Sequence, residues 1–587
     1  MKQTSKGKIW GWAGGILLVL LLAGYAGWHF LKKNLANPKN TAAKEAITDQ
    51  LKKLVTEASD SLYHIEYDHF EVNIDAGKGL ITNFKLLPDS AVYQRLLAAR
   101  KVPNDVMRIV ADSLILDQFG FAKTPQGRRF NIAGMTMKHP QIRIVNKRLA
   151  YNDTINAEKA AHPPALVKMM KGILKITSIQ KLNISNLNFT FVNQNESKEK
   201  TTSLKHLNIL MDGFTCDKLA DPKDTSKKTL FAKVQLCRIS TPDSLYRLNF
   251  KNIYFSPEQK TMSVNEVSLV PRLDKVAFYK AAKFDKDRIH LVYNNMVMRN
   301  IDLKHFLQRQ EIHIGSATIG SSWGEVFNNY NWPKRTPPLR PEPFPHQKLQ
   351  QLAFDITIDT MKMHKGYFKY VIAAQKSEEN ATLFLTNSEG LFLNITNNTA
   401  VKKRNPYAFA NMRAKMMGAG DTHMSYKFNL ASKNGAFSNT IEMGPMDGTA
   451  LNPLAKPLAM MAIQSAKINK MLMQIDATDR GAKGNLDLYY TNMKVALLKH
   501  DDKNDDLKKR GLLSFLTNTF MPNDNPKKNG KFRKGPINVT RGPRESFFGL
   551  LYKCSMDGMS SAIMGFDQHK QKPNENIVVK ALQKKNH

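Results

Sequence analysis

The sequence predicts a mainly β protein with few helices: a single N-terminal transmembrane helix followed by an elongated antiparallel β-sheet, curled so that its apolar side forms a hydrophobic groove. Three observations carry this expectation. Residues 9–31 contain no Asp, Glu, Lys or Arg, and about 20 apolar residues span a hydrocarbon core as a helix. Beyond residue 63, apolar residues alternate with polar ones in run after run, the period of a half-buried strand. The same phrase, an alternating strand, a one-residue slip and an aromatic-bearing return, recurs at 178–194, 348–375 and, more loosely, 247–270.

Taken in order, residues 1–8 form a short basic head with Lys2, Lys6 and Lys8. The helix of 9–31 has Ile16 and Leu20 in its span, with Trp10 and Trp12 at one end and Tyr25 and Trp28 at the other, where interfacial aromatics belong. A cleaved signal peptide is the rival reading. The apolar run exceeds the usual 7–15 residues, however, and Trp28-His29-Phe30-Leu31-Lys32 is a poor small-residue cleavage site. A short basic head favours a cytoplasmic N-terminus, which places everything after residue 31 outside.

Residues 32–63 read as a stalk, with helical spacing at Ala46, Leu51, Leu54 and Val55. Phe70, Val72 and Ile74, then a Gly77-Lys78-Gly79 turn, then Leu80, Thr82, Phe84 and Leu86 predict a hairpin. In 181–194 (KLNISNLNFTFVNQ) the apolar set moves from Leu182 and Ile184 to Leu187, Phe189 and Phe191. Side chains alternate across a strand, so this slip demands an extra residue near Ser185-Asn186, as in a bulge. Leu352, Phe354, Ile356, Ile358 and Phe368 play the same part in 348–375. These ten residues are the candidate groove lining. Helices are expected only near 91–99, 164–174, 275–283, 454–472 and 545–564. So few cannot cover such a sheet, and acyl chains are one candidate cover, at about 0.8 kcal/mol per buried methylene. Packing by the curled sheet itself is the other.

Lys plus Arg outnumber Asp plus Glu by 87 to 50, a net charge of +37 that favours anionic partners, phospholipid head groups among them. The basic residues are spread along the chain and no nucleic-acid module is present, so nucleic acid is not an expected partner. Three cysteines, Cys216, Cys237 and Cys554, do not make a disulfide framework, and whether Cys216 and Cys237 pair stays open. Gly320-Ser321-Ser322-Trp323-Gly324 fits G-x-S-x-G, but that elbow needs a strand before it and a helix after it, and the context here is β. No metal-binding, Walker or dinucleotide motif occurs, so no enzyme activity, catalytic residue, metal or cofactor is expected.

The blocks FEVNIDAGKGLITNFKLLPD, ADSLILDQFGF, RRFNIAGMTMKHPQIRIVNKR and KLNISNLNFTFVNQ resemble the AsmA-like envelope proteins and their DUF748-type relatives. GAFSNTIEMGPMDGTALNPL with MQIDATDRGAKGNLDLYYTNMKVALL is similar to the C-terminal AsmA pattern, and NTFMPNDNP followed by RGPRESFFGLLYKCSMDGMSSAIMG resembles the closing segment of the same group. The resemblance implies an inner-membrane anchor, a periplasmic body and a taco-like β-groove related to bridge-like lipid transfer proteins. It further implies carriage of phospholipid between envelope membranes in support of the outer membrane, with an envelope protein as partner at the C-terminal end. A non-enzymatic assembly scaffold without bound lipid is the alternative. On this reading 64–175 is an N-terminal AsmA-like module, 176–434 the middle groove, 435–500 a C-terminal AsmA-like module, 501–544 a basic and polar linker and 545–587 an amphipathic helix with a tail. Roughly 25 strands at about 4.8 Å each give a groove about 120 Å long.

Overall fold

The computed structural model describes most residues from 59 to 564, together with Lys52, Val55 and Thr56; its longest gaps are 155–176, 302–310, 330–340 and 510–521. The anticipated membrane helix, with Trp10, Trp12, Ile16, Leu20, Tyr25 and Trp28, lies outside the described residues, as do the expected helix at 164–174 and the tail after 564. None of the described helices is long and apolar enough to cross a membrane.

Strand dominates. β1 (Tyr63–Glu66) and β2 (His69–Asn73) both pair with β3 (Lys78–Pro88), the predicted hairpin. β4 (Asp105–Thr124) pairs with β3 and with both β5 (Gly127–Lys138) and β6 (Gln141–Asn146). β5 and β6 are two lengths of one line broken at His139-Pro140, where proline has no N–H to give a ladder. Both run parallel to β7 (Thr177–Asn193). Antiparallel neighbours follow one after another through β8 (Lys200–Asp221), β9 (Asp224–Ser240), β10 (Tyr246–Ser256), β11 (Thr261–Pro271), β12 (Arg288–Ile301) and β13 (Glu311–Asn329). β14 (Asp355–Ala373) then joins β13 in parallel. β15 (Asn380–Thr396), β16 (Tyr407–Met416), β17 (Gly420–Asn429), β18 (Phe437–Met443), β19 (Met446–Asp447), β20 (Met461–Thr478), β21 (Gly481–His500), β22 (Leu507–Lys509) and β23 (Lys534–Thr540) complete it, again antiparallel.

The mainly β expectation holds, with one correction: the sheet is mixed, because β5 and β6 against β7, and β13 against β14, run parallel. The connections 147–176 and 330–354 return the chain to the same end before the next strand, which a tight hairpin cannot do. Among the described strands β1 with β2, β5 with β6 and β18 with β19 share a level, so those from β1 and β2 to β23 occupy 19 levels, about 85 Å at about 4.8 Å per step.

Among the described residues the helices are α1 (Ser90–Ala98), α2 (Ala150–Thr154), α3 (Lys275–Ala281), α4 (Pro345–Gln350), α5 (Thr399–Arg404), α6 (Asn452–Ala459) and the longer α7 (Phe547–Met564). Asp89, Asp274 and Asn398 begin α1, α3 and α5 by accepting from the backbone N–H three residues on, at 2.8, 2.8 and 3.0 Å. The expected helix at 454–472 proves to be α6 and then a strand. Met460 adopts φ +51 and closes the helix, after which Ile468, Met471, Met473 and Ile475 face the core of β20. Within the expected linker, Gly535, Ile537 and Val539 alternate inward as β23 and pair with β21, so the basic run ends in a sheet strand.

Each end of the sheet is filled by the chain itself. At the N-terminal end Leu96 of α1 and Val102 join Ile81, Phe84, Ile109, Leu114, Ile132 and Met137. At the C-terminal end Leu550, Cys554 and Ala562 of α7 pack with Met473, Leu486, Leu488 and Ile537. The approach is close enough that a Cβ on Gly535 would sit 2.1 Å from the Gly558 carbonyl oxygen of α7.

The predicted bulge at 185–186 is present: the β7–β8 register shifts between Ile184 and Leu187, and Asn186 has φ +55. A longer feature accompanies it. From β4 through β16, every pairing except those of β6 skips a position at one level, a seam that runs through Gln118, Ala133, Gln180, Gly213, Gln235, Asn252, Asn265, Asn295, Gly320, Lys365 and Asn387. Gln118, Gly213, Asn252, Asn295, Lys365 and Asn387 have φ between +47 and +65, the left-handed region that Gly and Asn adopt most readily. At the seam two successive residues turn away from the apolar side. In β10, Lys251 and Asn252 are exposed between Phe250 and Ile253, and in β14, His364 and Lys365 are exposed between Met363 and Gly366. One face therefore carries an extra residue per strand. Along most of the seam both partners skip equally, so register is kept while the apolar set changes phase on each strand.

Candidate ligand-binding face

The strand alternation and the seam together decide which side chains share the apolar face in the middle of the sheet. On one side of the seam stand Phe250, Val267 and Tyr293; on the other stand Ile253, Val264, Met296 and Ile319, one from each successive strand. Phe255, Met262, Met298, Ala317 and Met361 form the next row. A second seam crosses β12 to β15 at Asn300, Gly315, Asp359 and Asn394, and beyond it lie Ile301, Ile314, Ile358 and Ile395. The apolar residues thus recur at a spacing of three at each seam (Met298 and Ile301, Ile314 and Ala317, Ile358 and Met361) and two elsewhere. That keeps one face apolar from end to end of each strand.

The cluster built on this face draws every member from β10 to β14. No helix contributes to it among the described residues, whereas α1, α3 and α7 each fill another cluster. Phe250, Ile253, Met262, Val267, Met296, Ile312, Ile358 and Met361 are only partly buried, as expected for one layer with nothing set over it. The face is rich in Met, whose unbranched thioether fits apolar partners of irregular shape.

The ten residues proposed from the sequence fall into two groups. Leu182, Leu187 and Phe191 of β7 are buried, and Ile184 and Phe189 are partly buried. Phe191 sits among Ile142, Ile144 and Met107, side chains of the protein's own β4 and β6. In the second group Ile358 belongs to the open cluster, Leu352, Ile356 and Phe368 are partly buried, and Phe354 lies outside the described residues. Sequence reasoning missed the centre of the face, Phe250 through Met298. Its signal was present in RLNFKNIYFSPEQKTMSVNEVSLV, where Phe250 and Ile253 straddle Lys251-Asn252 and Val264 and Val267 straddle Asn265-Glu266.

The polar face carries a multi-ion cluster around Glu325. Its carboxylate lies 2.7 Å from Lys369 Nζ and 3.7 Å from both Lys275 Nζ and Arg288 Nη1, with its side chain 10% exposed. Burial alone would raise the Glu325 carboxyl; Lys369, with Lys275 and Arg288, more than offsets that and holds it below the usual range. Beside the cluster, Phe278 of α3 packs edge-on against Tyr246 and Tyr279, and the Tyr279 hydroxyl donates to the Phe327 carbonyl at 2.8 Å.

Ser322 stands mid-strand in β13, paired with Tyr293 and Gly366, so no strand-to-helix elbow exists there. Its Oγ is buried and has no hydrogen-bond partner, so no general base is in place to activate it. Cys237 lies opposite Met211, and Cys216 opposite Ala232, so the two are not cross-strand partners. Cys237 is a free thiol, pushed up to about 11 by burial. A cavity of about 490 Å³ opens over Pro445, Met446, Asp447, Ala466 and Lys467, away from β10 to β14. Among the described residues no three His, Cys, Asp or Glu side chains gather to hold a metal ion.

No family model matches the chain, and the search of curated proteins finds no match.

Proposed function

We propose that this protein is a membrane-anchored, periplasmic carrier of phospholipid, and that acyl chains lie on the apolar face of β10 to β14. The observation that carries this reading is that face: a five-strand apolar surface, kept in phase across the seam, to which no described helix contributes. Four strand steps of about 4.8 Å make it about 19 Å wide, and one leaflet of a bilayer core is about 15 Å thick, so one acyl chain fits along the seam. The uncharged segment 9–31, the net charge of +37 and the likeness to AsmA-like envelope proteins support a site of action at an anionic membrane surface. On this reading the protein moves lipid between envelope membranes and supports the outer one, with an envelope protein at its C-terminal end.

The test is to purify the full chain from membranes, place a photoreactive residue at Met296 or Ile358, irradiate, and identify the adducts by mass spectrometry. Phospholipid adducts at these positions, with none at exposed Lys251 on the other face, are expected. Adducts to protein alone, with no co-purifying lipid, would refute carriage. That outcome belongs to the second reading, an assembly scaffold, which the self-filled clusters at both ends of the sheet favour.

A further inference from the structure

On the apolar face, at the inner side of the seam, three small residues lie side by side on neighbouring strands. Ser322 of β13 is opposite Gly366 of β14, and Gly366 is opposite Ser388 of β15. Both serines are buried, at 4% and 0% exposure, and neither Oγ has a hydrogen-bond partner. Two buried donors without acceptors, on the same face as the open apolar surface and separated by a residue with no side chain, make a notch that lacks its complement. The Phe368 ring lies across it. A Cβ on Gly366 would come 2.8 Å from Phe368 Cε2, and one on Gly324 would come 2.7 Å from Phe368 Cδ1. The ring occupies the space the two glycines leave, and a turn about its own χ1 would be needed to uncover the notch.

We propose that this notch seats the ester linkage of an acyl lipid, with the Ser322 and Ser388 hydroxyls donating to ester carbonyl oxygens while the chain runs along the seam over β10 to β14. The inference rests on the acyl-carrier reading and adds the chemical class of the cargo. The complement is a neutral acceptor and not a phosphate, because strand alternation puts Lys365 and Lys369 on the opposite face, and an unpaired anion on an apolar floor is strongly disfavoured. The ester is the neutral acceptor that lies next to the hydrocarbon in a glycerolipid. No bond is broken: the hydroxyls bind and orient.

The experiment uses the delipidated full chain, incubated with vesicles of diacyl phosphatidylethanolamine or of its dialkyl-ether counterpart, re-isolated, and assayed for retained lipid by mass spectrometry. The wild type is expected to retain the ester lipid about tenfold better, the effect of two ordinary hydrogen bonds. Ser322→Ala/Ser388→Ala removes that preference, retains the ether lipid at the wild-type level, and leaves the thermal midpoint of the delipidated protein unchanged or higher, since alanine deletes two unpaired donors. Equal retention of the two lipids by the wild type, a preference that survives in the double variant, or a lowered thermal midpoint overturns the ester seat alone. Retention of neither lipid overturns the ester seat and the acyl-carrier reading together.

Discussion

Replacing Asn252 and Asn295 by valine tests whether the seam depends on its left-handed backbone. Both residues hold φ just above +50, both side chains are exposed, and they lie on β10 and β12 with β11 between them. A β-branched residue in the left-handed region costs roughly 1–2 kcal/mol. Two strand spacings, about 9.6 Å, separate the sites, far enough for the costs to add. The double variant is thus expected to lose about 3 kcal/mol, a large share of a typical net stability of about 5–15 kcal/mol. Asn→Gly at the same positions keeps the conformation available and should stay within about 0.5 kcal/mol of wild type. Urea unfolding followed by tryptophan fluorescence and by circular dichroism reads the midpoint. Because no packing is removed from these exposed sites, a glycine variant as unstable as the valine variant would show that the amide side chains act and the backbone does not. A valine pair with an unchanged midpoint would show that the seam tolerates ordinary strand geometry.

Three further outcomes follow from the packing. His346 is buried among Phe344, Phe428 and Phe437, and burial holds its pKa below the ordinary value. Its contribution to stability is complete above the unfolded value near 6.5 and declines as pH falls from there toward the depressed folded value. Thermal midpoints between pH 7.5 and 5.5 should therefore drop, and His346→Leu should flatten that slope. Glu325→Ala leaves Lys369 and Arg288 facing each other without their shared anion; a loss of roughly 3 kcal/mol in urea unfolding is expected, and Glu325→Asp should restore part of it. Phe278→Ala empties a fully buried ring site, with an expected loss of roughly 3–5 kcal/mol; a loss under about 1 kcal/mol would mean that α3 does not seal that end of β10 to β12.

The β class, the hairpin at 70–86, the helices α1, α3 and α7, and the slip at 185–186 were legible because each leaves a periodicity in the chain: two for strands, near 3.6 for helices, and a phase change at a bulge. Periodicity is local, which is why residues 461–472 were misread as helix. Their apolar spacing suits either structure until Met460 breaks the helix and a partner strand takes the segment. The parallel pairings also escaped the sequence, since no pattern in β13 or β14 states which neighbour will run beside it.

The candidate face shows the same division. That β7, β10, β11 and β14 carry an apolar side follows from the order of their residues, because alternation is a property of a single strand. Which of those sides is covered depends on packing between separate elements. Phe189 and Phe191 meet Ile142 and Ile144 of their own protein, while Phe250, Met262 and Met296 meet no second layer among the described residues. Cover comes from elements distant in the chain. The alignment of the skipped positions into one seam likewise belongs to register between strands, and no single strand contains that information.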